Sequence, residues 1–280
     1  MSARGLDHLV MPVASLATAR KRLEDLGFTV APQGDHPFGT VNSCVFFGDG
    51  TFIEPLAVAD ADAVAAAIAA GNSFVGGDQQ FRAACGEEGL SGIVLASDDA
   101  DADHQQFVAQ GISGGAMVEF SRPFLDSDGN VDIASFLLAF AAPQDKANAY
   151  FFTCERRKVA KVDRSALESH ANGVTQIVAV EAQAADPTRF AGFLAAMAEA
   201  EIINNDGRVE VKLANATIRI AENKAARAAS LNGIVFGVDD IASVTMLFNA
   251  GAIGYQSHDK TLRVPPAAGQ GTWLIFEEAP

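Results

Sequence analysis

One short strand-like segment recurs four times along this 280-residue chain. Each copy has a small residue, an aliphatic residue, a short polar residue, one variable position and then a β-branched run. The copies lie at residues 5–13, 89–97, 173–181 and 230–238. Their variable positions are His8, Gly92, Gln176 and Gly233. This pattern predicts one supersecondary unit used four times, with different chemistry in each copy.

The residues after each copy predict the order βαβββ. In the first unit, residues 6–13 predict a strand, and residues 14–27 place apolar side chains on one face of a helix. Three further strands are predicted at residues 28–31, 40–47 and 51–57. The same order recurs from each later copy, with tight turns predicted at 126–129 and 205–207. The sequence therefore predicts an α+β fold.

Length and composition divide the chain and exclude several functions. A polar linker that ends at residues 168–172 predicts two halves, residues 1–165 and residues 166–280. The formal charge of −15 argues against nucleic acid and anionic membranes as partners. No apolar run approaches the roughly 20 residues of a membrane span. Because the N-terminus also lacks the pattern of a signal peptide, we expect a soluble cytoplasmic protein.

Several stretches resemble one known group of proteins. The most specific are His-Pro-Phe-Gly-Thr-Val-Asn at 36–42 and Gly-Asp-Gly-Thr-Phe-Ile-Glu at 48–54, with Leu-Asp-His-Leu-Val at 6–10. Supporting matches lie at residues 120–123, 151–152 and 170–173. Together with the βαβββ repeat, they resemble the glyoxalase-like branch of the vicinal oxygen chelate superfamily. The resemblance implies four βαβββ modules paired into strongly curved mixed sheets. It also implies a divalent metal in the resulting cup, which a small substrate chelates through neighbouring oxygens.

The resemblance places candidate metal ligands on the first and last strands of the modules. His8 and Glu54 are such residues in the first module, and Glu155 is near the corresponding place in the second. Imidazole and carboxylate ligands suit Zn, Mn, Fe, Ni or Co. The alternatives are a hydrogen-bonded strand histidine for His8 and a surface ion pair with a neighbouring arginine for Glu155. The counterparts of His8 in the other modules are predicted to be Gly92, Gln176 and Gly233, so the C-terminal half is expected to be structural, or to form a homodimer.

The loop at residues 36–42 offers further candidates. His36 would be a general base matched to neutral pH, and Thr40 and Asn42 would donate hydrogen bonds to a substrate. Glu54 is a second catalytic candidate, because it is a carboxylate in an apolar strand. Arg122 would bind an anionic substrate through its guanidinium. The alternatives are turn chemistry for His36 and an ordinary salt bridge for Arg122.

Three functions are compatible with these residues. The first is a metal-dependent lyase or isomerase on a small oxygen-chelating substrate, with dioxygenase chemistry less favoured because a two-histidine, one-carboxylate set is not evident in the sequence. The second is a metal-free protein of the bleomycin-resistance type that binds a drug or metabolite. The third is a dimerisation scaffold that keeps only the fold. A divalent ion that raises the melting temperature would favour the first.

Overall fold

The computed structural model describes residues 3–125, 131–159, 165–205 and 208–278. The turn predicted at 126–129 lies outside the described residues, as do two of the three residues of the turn predicted at 205–207. The helices are α1 Leu16–Asp25, α2 Ala61–Ala69, α3 Ser73–Cys85, α4 Ala100–Ala109, α5 Pro187–Ala198 and α6 Ile241–Ala250. Asp186 accepts a hydrogen bond from the backbone N–H of Arg189, so α5 begins with the predicted N-cap and with Pro187 at its first position.

The strands form two sheets that follow one another along the sequence. The first sheet contains β1 Leu6–Pro12, β2 Gly34–Asp35, β3 Thr40–Asn42, β4 Val45–Phe46, β5 Phe52–Val58, β6 Gly92–Ser97, β7 Val118–Leu125, β8 Val131–Ala141 and β9 Tyr150–Lys158. The second contains β10 Val174–Ala184, β11 Glu201–Asn205, β12 Arg208–Lys212, β13 Thr217–Glu222, β14 Ser230–Val238, β15 Gln256–His258, β16 Thr261–Val264 and β17 Trp273–Glu278.

Both sheets have the same topology. The strand order is β2-β3-β5-β1-β6-β9-β8-β7 in the first sheet, with β4 beside β5, and β11-β12-β13-β10-β14-β17-β16-β15 in the second. The four repeated segments form the central strands, where β1 pairs antiparallel with β6 and β10 pairs antiparallel with β14. Each central strand pairs in parallel with the last strand of its own module. The predicted α+β fold of four βαβββ modules in curved mixed sheets is confirmed.

Two local predictions in the first half were wrong. Residues 28–31 do not form a strand, and the edge of the sheet is instead completed by β2. Residues 40–47 form two short strands, because residues 43–44 leave the ladder between β3 and β4. The helix α3 was not predicted, since Gly76 and Gly77 are poor helix formers. Gly77 has a packing role: a Cβ there would lie 2.8 Å from the ring of Tyr150.

One hydrophobic core joins both sheets. Phe47 and Phe28 of the first half contact Phe236 of the second, with ring centroids 5.6 Å and 5.1 Å from that of Phe236. A separate cluster, which includes Phe74, Phe140 and Phe152, lies between the first sheet and α2 and α3. This smaller cluster surrounds the predicted site residues. Within the described residues, no helix is both long and apolar enough to cross a membrane.

Candidate active site

The parallel pairing of β1 with β5 brings His8 and Glu54 together. His8 pairs with Phe52, and Glu54 follows two residues later on the same strand, opposite Val10. His8 Nε2 lies 3.6 Å from Glu54 Oε2. The two residues are 6% and 5% exposed, respectively, so neither polar group is well hydrated. A carboxylate this deeply buried requires polar partners, because the desolvation of an unpaired charge is costly.

Asp7 fixes the orientation of the His8 imidazole. A register shift between Leu6 and His8 in the β1–β6 pairing marks an irregularity at this point of the strand. Asp7 Oδ1 lies 2.5 Å from His8 Nδ1, and Asp7 Oδ2 lies 2.8 Å from Arg156 Nη2. Because an ionised carboxylate only accepts, His8 Nδ1 carries a proton and donates a hydrogen bond to Asp7. The other nitrogen, Nε2, is therefore directed at Glu54.

His36 and Asn42 complete the surroundings of Glu54. His36 Nδ1 lies 2.9 Å from Thr40 Oγ1, and His36 Nε2 lies 3.6 Å from Glu54 Oε1. Asn42 Nδ2 donates to Glu54 Oε1 at 2.5 Å and lies 3.5 Å from His36 Nε2. Arg122 Nη1 donates to Asn42 Oδ1, which fixes the amide with its nitrogen toward Glu54.

The electrostatic surroundings keep His36 uncharged. Burial, followed by the positive charge of Arg122 and the proximity of His8, lowers the pKa of His36 from 6.5 to about 3. At neutral pH the ring is therefore neutral. Its Nε2 accepts the contact from Asn42, so Nδ1 carries the proton and donates to Thr40.

A small cavity of about 50 Å³ opens onto these groups. Besides Asp7, His8, His36 and Glu54, it is lined by Phe52, Phe74, Phe120, Arg122, Phe136, Leu138, Phe152, Cys154 and Arg156. Phe52 stacks on His8 with a centroid separation of 4.3 Å. Burial raises the pKa of Cys154, so its thiol stays protonated and is not an activated nucleophile. The cavity thus combines aromatic walls with two carboxylates and two guanidinium groups.

The structure does not bring Glu155 to His8 and Glu54. Side chains alternate along a strand, and Cys154 lines the cavity, so Glu155 lies on the opposite face of β9. Its Oε2 accepts a hydrogen bond from the backbone N–H of Ala100 at the start of α4, and its Oε1 is 3.3 Å from Arg157 Nε. The surface ion pair was the alternative interpretation from the sequence.

The registers identify the true counterpart of Glu54 in the second module. Glu54 pairs with Val10, two residues after His8. In the second module, Phe152 pairs with Val94, two residues after Gly92. Phe152 therefore takes the place of Glu54, and it has no metal-binding atom. A Cβ on Gly92 would lie 3.0 Å from Val10, so a ligand side chain has little room at that position either.

In the second sheet, the strand registers show that the residue corresponding to His8 is not the one predicted from the sequence. His8 pairs with Val94, two residues after Gly92, and Ala179 pairs with Val235, two residues after Gly233. Ala179 thus replaces His8, rather than Gln176, because register shifts in β10 precede it. By the same comparison, Arg219 stands where the first module has Glu54.

Five residues predicted from the sequence meet around the cavity, and two further polar residues there were not predicted. The five predicted residues that lie together are His8, His36, Asn42, Glu54 and Arg122. Thr40 forms a hydrogen bond with His36. Asp7 and Arg156 were not predicted. The signal for Asp7 was an acidic residue directly before a histidine within an apolar strand. No local signal identified Arg156, because its contact with Asp7 spans 149 residues.

His8 and Glu54 fit a divalent metal as a pair. Two ligands bound about 2.1 Å from a tetrahedral metal lie about 3.4 Å apart, close to the 3.6 Å between Nε2 of His8 and Oε2 of Glu54. The hydrogen bond from Nδ1 of His8 to Asp7 is the outer support that metal-binding histidines usually have. Among the described residues, no group of three or more His, Cys, Asp or Glu side chains is arranged to hold a metal ion. Within the described residues, His8 and Glu54 would be the two protein ligands, because Asn42 already contacts His36, Glu54 and Arg122.

Comparison with known proteins identifies the family of the chain. Residues 6–198 match the glyoxalase-like domain family. No functionally curated protein matches the sequence. A hypothetical protein from Staphylococcus aureus superposes with a TM-score of 0.70 at 14% identity, covering 99% of this chain and 100% of that one.

Two similar solved structures are enzymes by name. A mutant of 4-hydroxymandelate synthase from Streptomyces coelicolor superposes with a TM-score of 0.65 at 12% identity, covering 99% of this chain and 92% of that one. The Mn(II)-bound glyoxalase from Novosphingobium aromaticivorans gives 0.56 at 12% identity, covering 99% and 83%. At these identities the likeness shows the fold. The chain belongs to the glyoxalase-like domain family and has the fold of the vicinal oxygen chelate superfamily.

Proposed function

We propose that this protein is a divalent-metal-dependent lyase or isomerase that acts on a small substrate with neighbouring oxygen atoms. The observation that carries the proposal is the convergence of His8 Nε2 and Glu54 Oε2, 3.6 Å apart, on one buried cavity. Both atoms are acceptors when His8 is neutral, so they favour a positive charge between them. Two protein ligands leave several coordination positions for substrate oxygens and water.

The residues of the cavity would have distinct roles in the reaction. A metal held by His8 and Glu54 would supply a Lewis acid that polarises the substrate oxygens. Glu54 is the base that we expect to accept a proton from the substrate, because its carboxylate lines the cavity and Asn42 holds it in place through a 2.5 Å hydrogen bond. His36, with a pKa of about 3, is too weak a base for this step at neutral pH and positions Asn42 instead.

Charge and size restrict the substrate. Arg122 and Arg156 line the cavity, and guanidinium groups bind carboxylate or phosphate oxygens. A cavity of about 50 Å³ accepts only a few water-sized groups, because one water needs about 10–15 Å³ of such volume. We therefore propose that a small carboxylate with an adjacent oxygen, such as a 2-hydroxy or 2-oxo acid, enters the site. A cytoplasmic location and a homodimer stay predictions.

Solvent deuterium tests this proposal even while the product is unidentified. Protein with Mn²⁺ is incubated in D₂O with a panel of 2-hydroxy and 2-oxo acids, and incorporation of deuterium is followed by NMR. We expect exchange with at least one acid, and its loss in Glu54→Gln. If no member of the panel exchanges with the wild type, the proposed proton transfer is wrong.

The aromatic walls favour a second candidate, a metal-free binding site for a drug or metabolite, which would have to widen the cavity of about 50 Å³ as it enters. Phe52, Phe120 and Phe152 line the cavity, and the described residues supply no third metal ligand. This candidate predicts that aromatic ligands raise the melting temperature in the presence of EDTA. It also predicts that Glu54→Gln leaves this rise intact.

A further inference from the structure

A second and larger cavity, of about 590 Å³, lies between the two halves of the chain, away from the site described above. Its walls come from residues 143–146 before β9, from α5 and from residues 226–229 before β14. Backbone hydrogen bonds between Asn148 and Ala229 (2.7 Å) and between Ala229 and Lys146 (2.9 Å) connect the two loops. The cavity is therefore formed by hydrogen-bonded backbone and a helix, and its size is typical of small-molecule sites.

The floor of this cavity is apolar and its rim carries an excess of positive charge. Phe190 and Phe193 of α5 form the floor together with several alanines. The rim contains Lys146, Arg189 and Arg227. Within the described part of the chain, neither Lys146 nor Arg227 forms an ion pair.

The acidic residues of the rim are already engaged. Asp145 pairs with Arg189 at 2.8 Å, and Asp186 caps α5 by accepting from the N–H of Arg189. The rim carries three cationic side chains and two carboxylates, so one net positive charge remains there, in a chain whose net charge is −15. Such a rim attracts an anion.

A glycine in the middle of α5, Gly192, also favours a ligand in this cavity. It lies in the middle of α5, where glycine is unfavourable relative to alanine, and it lines the cavity. A Cβ at Gly192 would have no protein atom within 4 Å, so no packing contact in the protein requires its absence. The space that glycine leaves open is cavity volume.

We propose that this cavity binds an amphipathic organic anion, with its apolar body over Phe190, Phe193 and Gly192 and its anionic group between Lys146 and Arg227. The anion can be aliphatic or aromatic, since both chemistries fit an apolar floor beneath a cationic rim. The site is separate from the pair formed by His8 and Glu54 and does not depend on the proposed catalytic function.

Calorimetric titration of the full chain with octanoate and with 1-naphthoate tests the proposal and distinguishes an aliphatic from an aromatic anion. We expect one of them to bind, and 1-octanol to bind at least about tenfold more weakly than octanoate if the aliphatic anion is preferred. The exposed double variant K146M/R227M should weaken the bound anion at least about tenfold. Gly192→Leu should abolish binding by filling the cavity.

Gly76→Ala is the matched control. Gly76 is also a glycine within a helix where a Cβ would have no atom within 4 Å, but it lies in α3 and outside this cavity. Both Gly192→Ala and Gly76→Ala should raise the melting temperature by about 2 °C, and of these two variants only Gly192→Ala should alter binding. Failure of both carboxylates to bind, or binding that is unchanged in K146M/R227M and in a folded Gly192→Leu protein, would overturn the proposal.

Discussion

His8 Nε2 faces Glu54 Oε2 at 3.6 Å, while Asp7 holds the opposite nitrogen of the same imidazole. This places an imidazole between two carboxylates on neighbouring strands of the first module. Because Asp7 occupies Nδ1, His8 can bind a ligand only through Nε2, which faces the cavity that it shares with Glu54. The proposed chemistry depends on this arrangement.

Asp7→Asn should weaken metal binding without removing a metal ligand. The amide keeps the shape of Asp7 but loses the negative charge that orients His8 and strengthens it as a ligand, so we expect Mn²⁺ affinity to fall about tenfold to a hundredfold. Metal titration followed by thermal shift measures this change. Asp101→Asn is the control, because Asp101 forms a surface ion pair with Arg157. Equal affinities in wild type and Asp7→Asn would show that Asp7 does not support a metal ligand.

Gly34→Ala should disturb the site from behind Arg122. A Cβ on Gly34 would collide with Arg122 Nη1 and would lie 2.7 Å from Asn42 Oδ1. Arg122 and Asn42 would have to move and would lose the hydrogen bond between them, so we expect the free energy of unfolding to fall by about 1–3 kcal/mol. Gly48→Ala is the control, because its Cβ would have its nearest neighbour at 3.9 Å. Urea denaturation measures the free energy of unfolding of both variants. Similar values for the two would contradict the close packing of Arg122.

Stability should fall as the pH decreases below about 6.5, in part because of His170. Its Nδ1 accepts the backbone N–H of Thr29 and its Nε2 donates to the carbonyl of Phe46, so the folded protein holds the neutral ring. Burial lowers the pKa of His170 below 6.5. The unfolded chain then binds a proton that the folded chain does not, and the contribution to stability, fully present above pH 6.5, is lost as the pH falls toward the lowered pKa.

His170→Gln should reduce the pH dependence of the free energy of unfolding between pH 6.5 and pH 5. Urea denaturation at several pH values measures the slope for wild type and variant. His258→Gln is the control, because His258 is exposed on β15. An identical slope in wild type and His170→Gln would show that His170 is not protonated on unfolding in this range.

Phe47→Ala should destabilise both halves together. Phe47 is fully buried and contacts Phe28, His170 and Phe236, so its ring joins the two sheets. We expect a loss of about 3–5 kcal/mol in the free energy of unfolding, measured in urea by circular dichroism. Met246→Ala, at a residue that is 65% exposed, should change stability by less than about 0.5 kcal/mol. A loss below about 1 kcal/mol for Phe47→Ala would contradict a shared core.

The fold was predictable because its signal repeats. The β-branched segments are central strands, and the amphipathic stretches that follow them are helices, so the pattern and the packing agree in all four modules. His8 and Glu54 were predictable for a related reason, as polar residues in strands that are otherwise apolar. Helix α3 was not predictable, because the glycine that its packing against Tyr150 requires also lowers helix propensity.

The rest of the site depends on geometry that the sequence does not encode locally. Glu155 was predicted as a ligand from its strand, but its side chain points to the opposite face from Cys154, since side chains alternate along β9. Asp7 reaches His8 beside a strand irregularity, and Arg156 reaches Asp7 from the other module. Irregularities and contacts between distant strands become visible only when the registers are known.

Thermal unfolding with and without Mn²⁺ tests the central claim most directly, when wild type is compared with His8→Ala, Glu54→Gln and Glu155→Gln. A metal that binds only the folded state raises the melting temperature, so we expect a rise for the wild type and for Glu155→Gln. We expect no rise for His8→Ala or Glu54→Gln, provided that both variants fold. A rise that survives in these two variants, or one that is lost only in Glu155→Gln, would contradict the assignment of the metal to His8 and Glu54.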